Sequence, residues 1–113
     1  MKKKFEKPGF EEKGKIEDKI VEMMDAVKIG DNNTVIFTQE SKKLIEEVAA
    51  FSRKTRIYKA NIERGQEYAK DTTPEQLYLE MITKVADAPT FLHAICSVHL
   101  LIPFIDDKLK GGD

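Results

Sequence analysis

Apolar residues recur at intervals of three and four along most of this chain, with charged residues between them. An α-helix brings such positions onto one face, whereas a half-buried strand requires strict alternation. The first stripe lies within residues 15–28 and consists of Ile16, Ile20, Met23, Met24 and Val27. It predicts a first helix over this segment. The helix should end at residues 29–33, where glycine, aspartate and asparagine favour a turn.

A second apolar stripe starts after Gln39 and predicts a helix that reaches residues 53–59. Its apolar positions are Leu44, Ile45, Val48 and Phe51. The polar segment 60–71 contains Gly65 and is interpreted either as a loop or as a frayed continuation of this helix. The run 34–38 has a strand-like composition, but the chain offers no second convincing strand to pair with it. We therefore expect a loop or a helical entry there.

Helix-start signals at Thr73 predict a third helix, because threonine can cap, Pro74 suits the first helical position and Gln76 stands at the capping-box position. The apolar stripe of this helix consists of Leu77, Met81, Val85, Ala88, Leu92 and Ile95. Pro89 interrupts the stripe and lacks a backbone donor, so we expect a kinked helix. A last, mostly buried helical segment follows over residues 98–105.

These stripes predict an all-α fold, a small bundle of about four helices. The 113 residues suit one domain, assigned to residues 15–110, after a charged flexible arm at residues 1–14. A domain of this size removes only about two-thirds of its unfolded surface from water. Homo-oligomerisation is therefore expected to complete the bundle.

Composition excludes several classes of function. With 19 Lys and Arg against 20 Asp and Glu, the net charge is −1, so a nucleic-acid partner is not expected. The most apolar stretch, residues 91–105, is shorter than the ~20 residues that span a bilayer, so a buried helix is expected there rather than a membrane span.

The single cysteine, Cys96, excludes an internal disulfide, and a cytoplasmic location is expected. Cys96 is interpreted as a small buried hydrophobe, and His93 and His99 as core or boundary residues rather than zinc ligands.

Four carboxylates on the predicted helices are candidate metal ligands. Glu46 and Glu47 lie in the middle of the second helix, while Glu80 and Asp87 are seven residues apart, two turns along one face of the third. Carboxylates from facing helices form the kind of oxygen cage that Mg²⁺ prefers. The alternative is that they only form the solvated faces of amphipathic helices.

The segments that carry these residues resemble the MazG-like, all-α nucleoside triphosphate pyrophosphohydrolases. Residues 43–52 are similar to the first motif of that family, Glu-Glu-x-x-Glu, with Ala50 in the place of the third Glu. Residues 80–88 resemble its second motif, Glu-x-x-Asp, and the closing Lys-Leu of the family corresponds to Lys108 and Leu109. The resemblance spans roughly residues 39–110, in the order of the family.

The second motif fits in two registers, and neither is complete. One places Lys84 and Asp87 at the Glu and Asp positions, and the other places Glu80 and Thr83 there. The resemblance implies that Mg²⁺ is held by Glu46, Glu47 and either Asp87 or Glu80. In the family this ion positions nucleotide phosphates for attack by water. The missing carboxylates weaken such a site, since each ligand charge helps to offset dehydration of the ion.

Phosphate contacts are expected from basic residues near the first motif. The cluster after the acidic pair consists of Arg53, Lys54, Arg56, Lys59 and Arg64, with Tyr58 among them. Arginine offers a planar fork for phosphate oxygens, and tyrosine offers a stacking face for a base. Lys54, Arg56 and Lys108 are the candidate nucleotide-binding residues. The alternative is a solvated helix end where cations complement the dipole.

Three functions follow from these observations. The first is Mg²⁺-dependent hydrolysis of nucleoside triphosphates. The second is a catalytically dead relative that binds a nucleotide or assembles. The third is an unrelated, non-enzymatic helical interaction or assembly protein, for example a phage or mobile-element accessory protein.

Overall fold

The computed structural model describes the backbone of residues 11–111 and the side chains of residues 16–111. Its helices are α1 (Glu11–Ala26), α2 (Gln39–Ser52), α3 (Arg56–Ala60), α4 (Ile62–Ala69), α5 (Pro74–Asp87) and α6 (Phe91–Leu109). The predicted all-α fold is confirmed, although six helices are described rather than about four. Most of the predicted arm, residues 1–10, lies outside the described residues. The first helix starts at Glu11, four residues before the predicted start.

Threonine side chains set the start of four helices. In each, the hydroxyl oxygen accepts a hydrogen bond from the backbone N–H three residues later: Thr38 from Ser41, Thr55 from Tyr58, Thr73 from Gln76 and Thr90 from His93. Such caps satisfy backbone donors that have no partner inside the helix. The predicted start at Thr73 is confirmed. The cap at Thr55 divides the predicted second helix, so that α2 ends at Ser52 and α3 follows.

Two segments differ from the sequence-based expectation. The stretch 60–71 contains the separate helix α4, which packs against α6, rather than a loop or a continuation of α2. Val35 and Ile36 form a strand, β2, which pairs antiparallel with β1 (Lys28–Ile29). The expected loop there is wrong because its strand partner lies directly after the first helix. The asparagines of the connecting turn supply left-handed backbone at φ 60° and 59°.

The central helix is α6, which packs against α2, α3, α4 and α5, while α1 packs against α2. Its residues from Val98 to Asp106 are all buried. Pro103 lies inside this helix without ending it, although it removes the hydrogen bond that the His99 carbonyl would otherwise accept. None of the described helices combines the length and the apolar character needed to cross a membrane.

Pro89 ends a helix rather than kinking one. The predicted third helix corresponds to α5, which ends at Asp87, and Ala88 is extended at φ −67°, ψ 133°, as a residue before proline prefers. Thr90 then starts α6 in a new direction. The apolar stripe predicted to continue past Pro89 therefore fails at Leu92, which is 70% exposed. Phe51, also expected in the core, is 45% exposed.

The core contains one buried polar pair. Ser52 at the end of α2 and His99 of α6 share a hydrogen bond of 2.6 Å between Oγ and Nδ1. Both residues are buried, at 0% and 4% exposure. Burial lowers the pKa of His99 to about 4, so the imidazole is neutral at pH 7. Its role in the fold is a hydrogen bond between α2 and α6.

Gly65→Ala is expected to destabilise the protein by about 1–3 kcal/mol, because an added Cβ would overlap the Phe104 ring of α6. Thermal unfolding measures the effect. Helix propensity alone would make the Gly65→Ala protein more stable than the parent. The sign of the change in unfolding free energy therefore separates the packing effect from the propensity effect. Gly30→Ala is the matched control, since its Cβ would meet only the Thr34 carbonyl at 3.9 Å. A Gly65→Ala protein as stable as the parent would contradict the close packing of α4 on α6.

Acidification is expected to destabilise the fold through His99. Its pKa is about 4 in the folded protein and about 6.5 when exposed, so the unfolded chain takes up the proton first as the pH falls. The contribution of neutral His99 to the free energy of unfolding is complete above about pH 6.5 and decreases towards pH 4. About 2 kcal/mol of this free energy is lost between pH 7 and pH 5.

Urea unfolding at a series of pH values measures this slope. His99→Gln should flatten it between pH 6.5 and pH 5, whatever its effect on stability at pH 7. His93→Gln is the control, because His93 is exposed. Equal slopes in the His99→Gln protein and its parent would contradict the assignment.

Candidate functional site

The first acidic pair lies on the exposed face of α2, and each carboxylate contacts a lysine. The Glu46 carboxylate is 3.1 Å from Nζ of Lys110, the C-cap residue of α6, and that of Glu47 is 2.8 Å from Nζ of Lys19 on α1. The Lys19 ammonium lowers the pKa of Glu47, first by hydrogen bonding and then by its charge. Consecutive helical positions differ by about 100°, so the two glutamates point towards different helices. They connect α2 to its neighbours on both sides.

A buried carboxylate near Glu46 was missed by the sequence analysis. The Asp106 side chain, only 3% exposed, accepts from Arg53 at 3.0 Å and lies 3.2 Å from Nζ of Lys110. Arg53 also bonds Asp107 at 2.9 Å and the Pro103 carbonyl at 3.2 Å. Burial acts to lower the pKa of Arg53, but the two aspartates outweigh it and raise the pKa. Arg53 therefore holds α6 against α2 and belongs to the fold.

The second acidic pair lines a groove of about 530 Å³ between α4, α5 and the N-terminal half of α6. The groove contains both Glu80 and Asp87, as their spacing of two helical turns indicated. It also contains two cations, Arg64 of α4 and Lys84 of α5. The Glu80 carboxylate is 4.0 Å from Nζ of Lys84, the longest of the described ion pairs. Arg64 belongs to the basic cluster that the sequence analysis expected to contact phosphate, whereas Lys84 was not selected as a ligand-binding residue.

The two acidic pairs lie near opposite ends of α6. Glu46 contacts Lys110, whereas the groove that contains Glu80 and Asp87 includes Cys96. Cys96 and Lys110 are fourteen positions apart, which corresponds to about 21 Å along a helix axis. Ligands of one Mg²⁺ must all place an oxygen about 2.1 Å from the ion.

The residues present do not fit the expected magnesium site within one chain. Among the described residues, no three Asp, Glu, His or Cys side chains come together in a way that could hold a metal ion. The carboxylates of the first motif contact lysines, and those of the second motif lie at another surface. Any site that uses both pairs must draw them from two copies of the chain.

The candidate nucleotide-binding residues are also dispersed. Lys54 and Arg56 are exposed between the end of α2 and the start of α3, and neither side chain has a hydrogen-bond or ion-pair partner within residues 16–111. Lys108 lines a different cavity of about 650 Å³, beside Asp107 and Lys70. None of the three reaches the groove of Glu80 and Asp87. The cations that do reach it, Arg64 and Lys84, lie on helices that only tertiary packing brings together.

Two further residues of the groove belong to α6. His93 is exposed, with Nδ1 2.9 Å from the Thr90 hydroxyl. Cys96 is partly exposed in the groove wall, so its expected burial is wrong. The cause is again Pro89, since the start of a separate helix there decides which α6 positions face the groove.

In comparisons with known proteins, no family model, no curated protein and no solved structure matches this chain. The resemblance to the MazG-like pyrophosphohydrolases therefore depends on residues 43–52 and 80–88 of the sequence alone. The magnesium and nucleotide assignments stay predictions.

Proposed function

We propose that this chain is a non-enzymatic helical interaction protein, which binds a ligand or assembles without hydrolysing a nucleotide. The observation that carries the proposal is the arrangement of the four candidate carboxylates. Two of them contact lysines of other helices, and the other two lie in a groove near the far end of α6. A hydrolase of the MazG-like type would need them around one ion.

Electrostatics supports this proposal. A divalent ion that bound Glu46 or Glu47 would compete with an ammonium group within about 3 Å of each carboxylate. Displacing Lys110 or Lys19 would remove an ion pair that joins two helices. Magnesium also gives up its water reluctantly and needs the charge of several carboxylates to do so. Paired, dispersed carboxylates favour a structural role over metal binding.

Nucleotide hydrolysis is the second candidate, and one observation favours it. Glu80 and Asp87 share a groove with two cations that could contact phosphate, Arg64 and Lys84. A second copy of the chain would have to supply Glu46 and Glu47 to this groove. The second candidate therefore requires a homo-oligomer, whereas a binding protein can act as a monomer or an oligomer.

The proposal predicts no pyrophosphate release from the common nucleoside triphosphates in the presence of Mg²⁺, at protein concentrations high enough for self-association. The measurement is phosphate release with added pyrophosphatase, compared with a sample that lacks the protein. Sedimentation equilibrium on the same samples reports the oligomeric state.

Mg²⁺-dependent release that is lost in a Glu46→Gln, Glu47→Gln double variant would overturn the proposal in favour of the hydrolase. Glu40→Gln, Glu75→Gln is the matched control, since it removes two exposed carboxylates from helix first turns and leaves all four candidates in place. Release that both double variants retain would point to a contaminating enzyme and leave the proposal standing.

A further inference from the structure

Two cations, Arg64 and Lys84, line the same groove, and Lys84 also contacts the phenol of Tyr68. The Lys84 ammonium donates a hydrogen bond to the Tyr68 hydroxyl at 2.8 Å and lies 4.3 Å from the centre of the same ring. Lys84 first, and Arg64 after it, hold the pKa of Tyr68 below its ordinary range. The hydroxyl of Tyr68 carries no charge that could offset the Lys84 ammonium. Because both cations line the groove, an anion in the groove would be attracted to both of them.

These two cations make only one ion pair within residues 16–111, and it is a long one. Arg64 makes no ion pair within residues 16–111, and Lys84 has only Glu80 at 4.0 Å, with a carboxylate that is half exposed. A surface pair of this kind contributes little. The guanidinium fork and the neighbouring ammonium match the oxygens of a phosphate group, whose charge at pH 7 is −1.5 to −2.

The hydroxyl groups of the groove are acceptors rather than free donors. The Thr83 hydroxyl donates to the Leu79 carbonyl at 2.9 Å, and the Ser97 hydroxyl donates to the His93 carbonyl at 3.2 Å. Their lone pairs remain available, and both residues line the groove. Arg64 and Lys84 are the cationic donors that the groove offers to an anion, whereas an ammonium group of a ligand finds free hydroxyl acceptors.

The carboxylates of the groove restrict the ligand further. Glu80 and Asp87 lie one turn on either side of Lys84, where side chains on one helix face are about 5–6 Å apart. Asp87 makes no ion pair within the described part of the chain. A second anionic group of a ligand would meet one of these carboxylates, which disfavours di- and triphosphates. A positive group would be attracted to Asp87.

We propose that this groove binds a small phosphate monoester that also carries an amine, with the phosphate between Arg64 and Lys84 and the ammonium against Asp87. The groove volume of about 530 Å³ exceeds what such a molecule needs. The inference names a ligand class for the binding role proposed above and rests on that role. It requires neither metal nor hydrolysis.

NMR titration of the isotope-labelled full chain tests the ligand class. O-phosphoethanolamine should shift the amide signals of Lys84, Asp87 and Ser97 saturably. Phosphoglycolate, in which a carboxylate replaces the aminomethyl group, should bind at least about tenfold more weakly, since its carboxylate would be repelled by that of Asp87.

Variants test the positions of the two charged groups. Arg64→Gln and Lys84→Met should each weaken phosphoethanolamine binding about tenfold or more. Asp87→Asn should remove the preference for phosphoethanolamine over phosphoglycolate while phosphate-dependent binding persists. Lys59→Gln removes an exposed cation outside the groove and should change nothing. All four replaced side chains are partly or largely exposed, so the variants should keep their thermal stability.

Shifts no larger than those caused by potassium chloride at equal ionic strength would overturn the inference. So would equal affinity for the two probes, or phosphoethanolamine binding that survives in Lys84→Met. Each of these results is independent of the pyrophosphate assay. Failure of the groove to bind leaves the absence of hydrolysis intact, and observed hydrolysis overturns the proposed function whatever the groove binds.

Discussion

Burial of α6 on almost all sides is the constraint on which the rest of the structure depends. Four of the other five helices pack against it, and its residues from Val98 to Asp106 are buried without a break. A helix that is apolar all round needs neighbours on every face. The short helices α3 and α4 are explained in this way, because on their own they are too short to be stable in water. Gly65 lets α4 lie directly against the Phe104 ring.

Polar contacts then determine how α6 sits among its neighbours. The buried hydrogen bond of His99 with Ser52 and the contacts of Asp106 with Arg53 and Lys110 both fix α6, and the first two partners belong to the end of α2. Unpaired buried charge would be costly, so these partners are specific to one arrangement of the helices. Glu46 and Glu47 are exposed, and each pairs with a lysine outside α2, Lys110 and Lys19 respectively. Glu46 thus lies near the C-terminal end of α6, while the groove lies towards the N-terminal end.

Much of the fold could be predicted because it depends on local patterns. The stripe of the first helix and the start signal at Thr73 depend only on residues a few positions apart, and both predictions are confirmed. The predictions that were wrong concern features that depend on distant partners. Val35 forms a strand because Ile29 is available to pair with it. Leu92 is exposed because Pro89 changes the helix direction, so the periodicity of α5 does not continue into α6.

In the candidate site, too, some features depend on nearby residues of one helix and others on contacts between helices. By itself the sequence determined the all-α class, most of the buried stripes and the common face of Glu80 and Asp87, since helix geometry fixes which residues of one helix are neighbours. Only the tertiary structure decided that Arg64 meets Lys84 across a groove and that Glu46 faces Lys110. These contacts join different helices, and their geometry follows from how the helices pack around α6. No spacing along the chain encodes that packing.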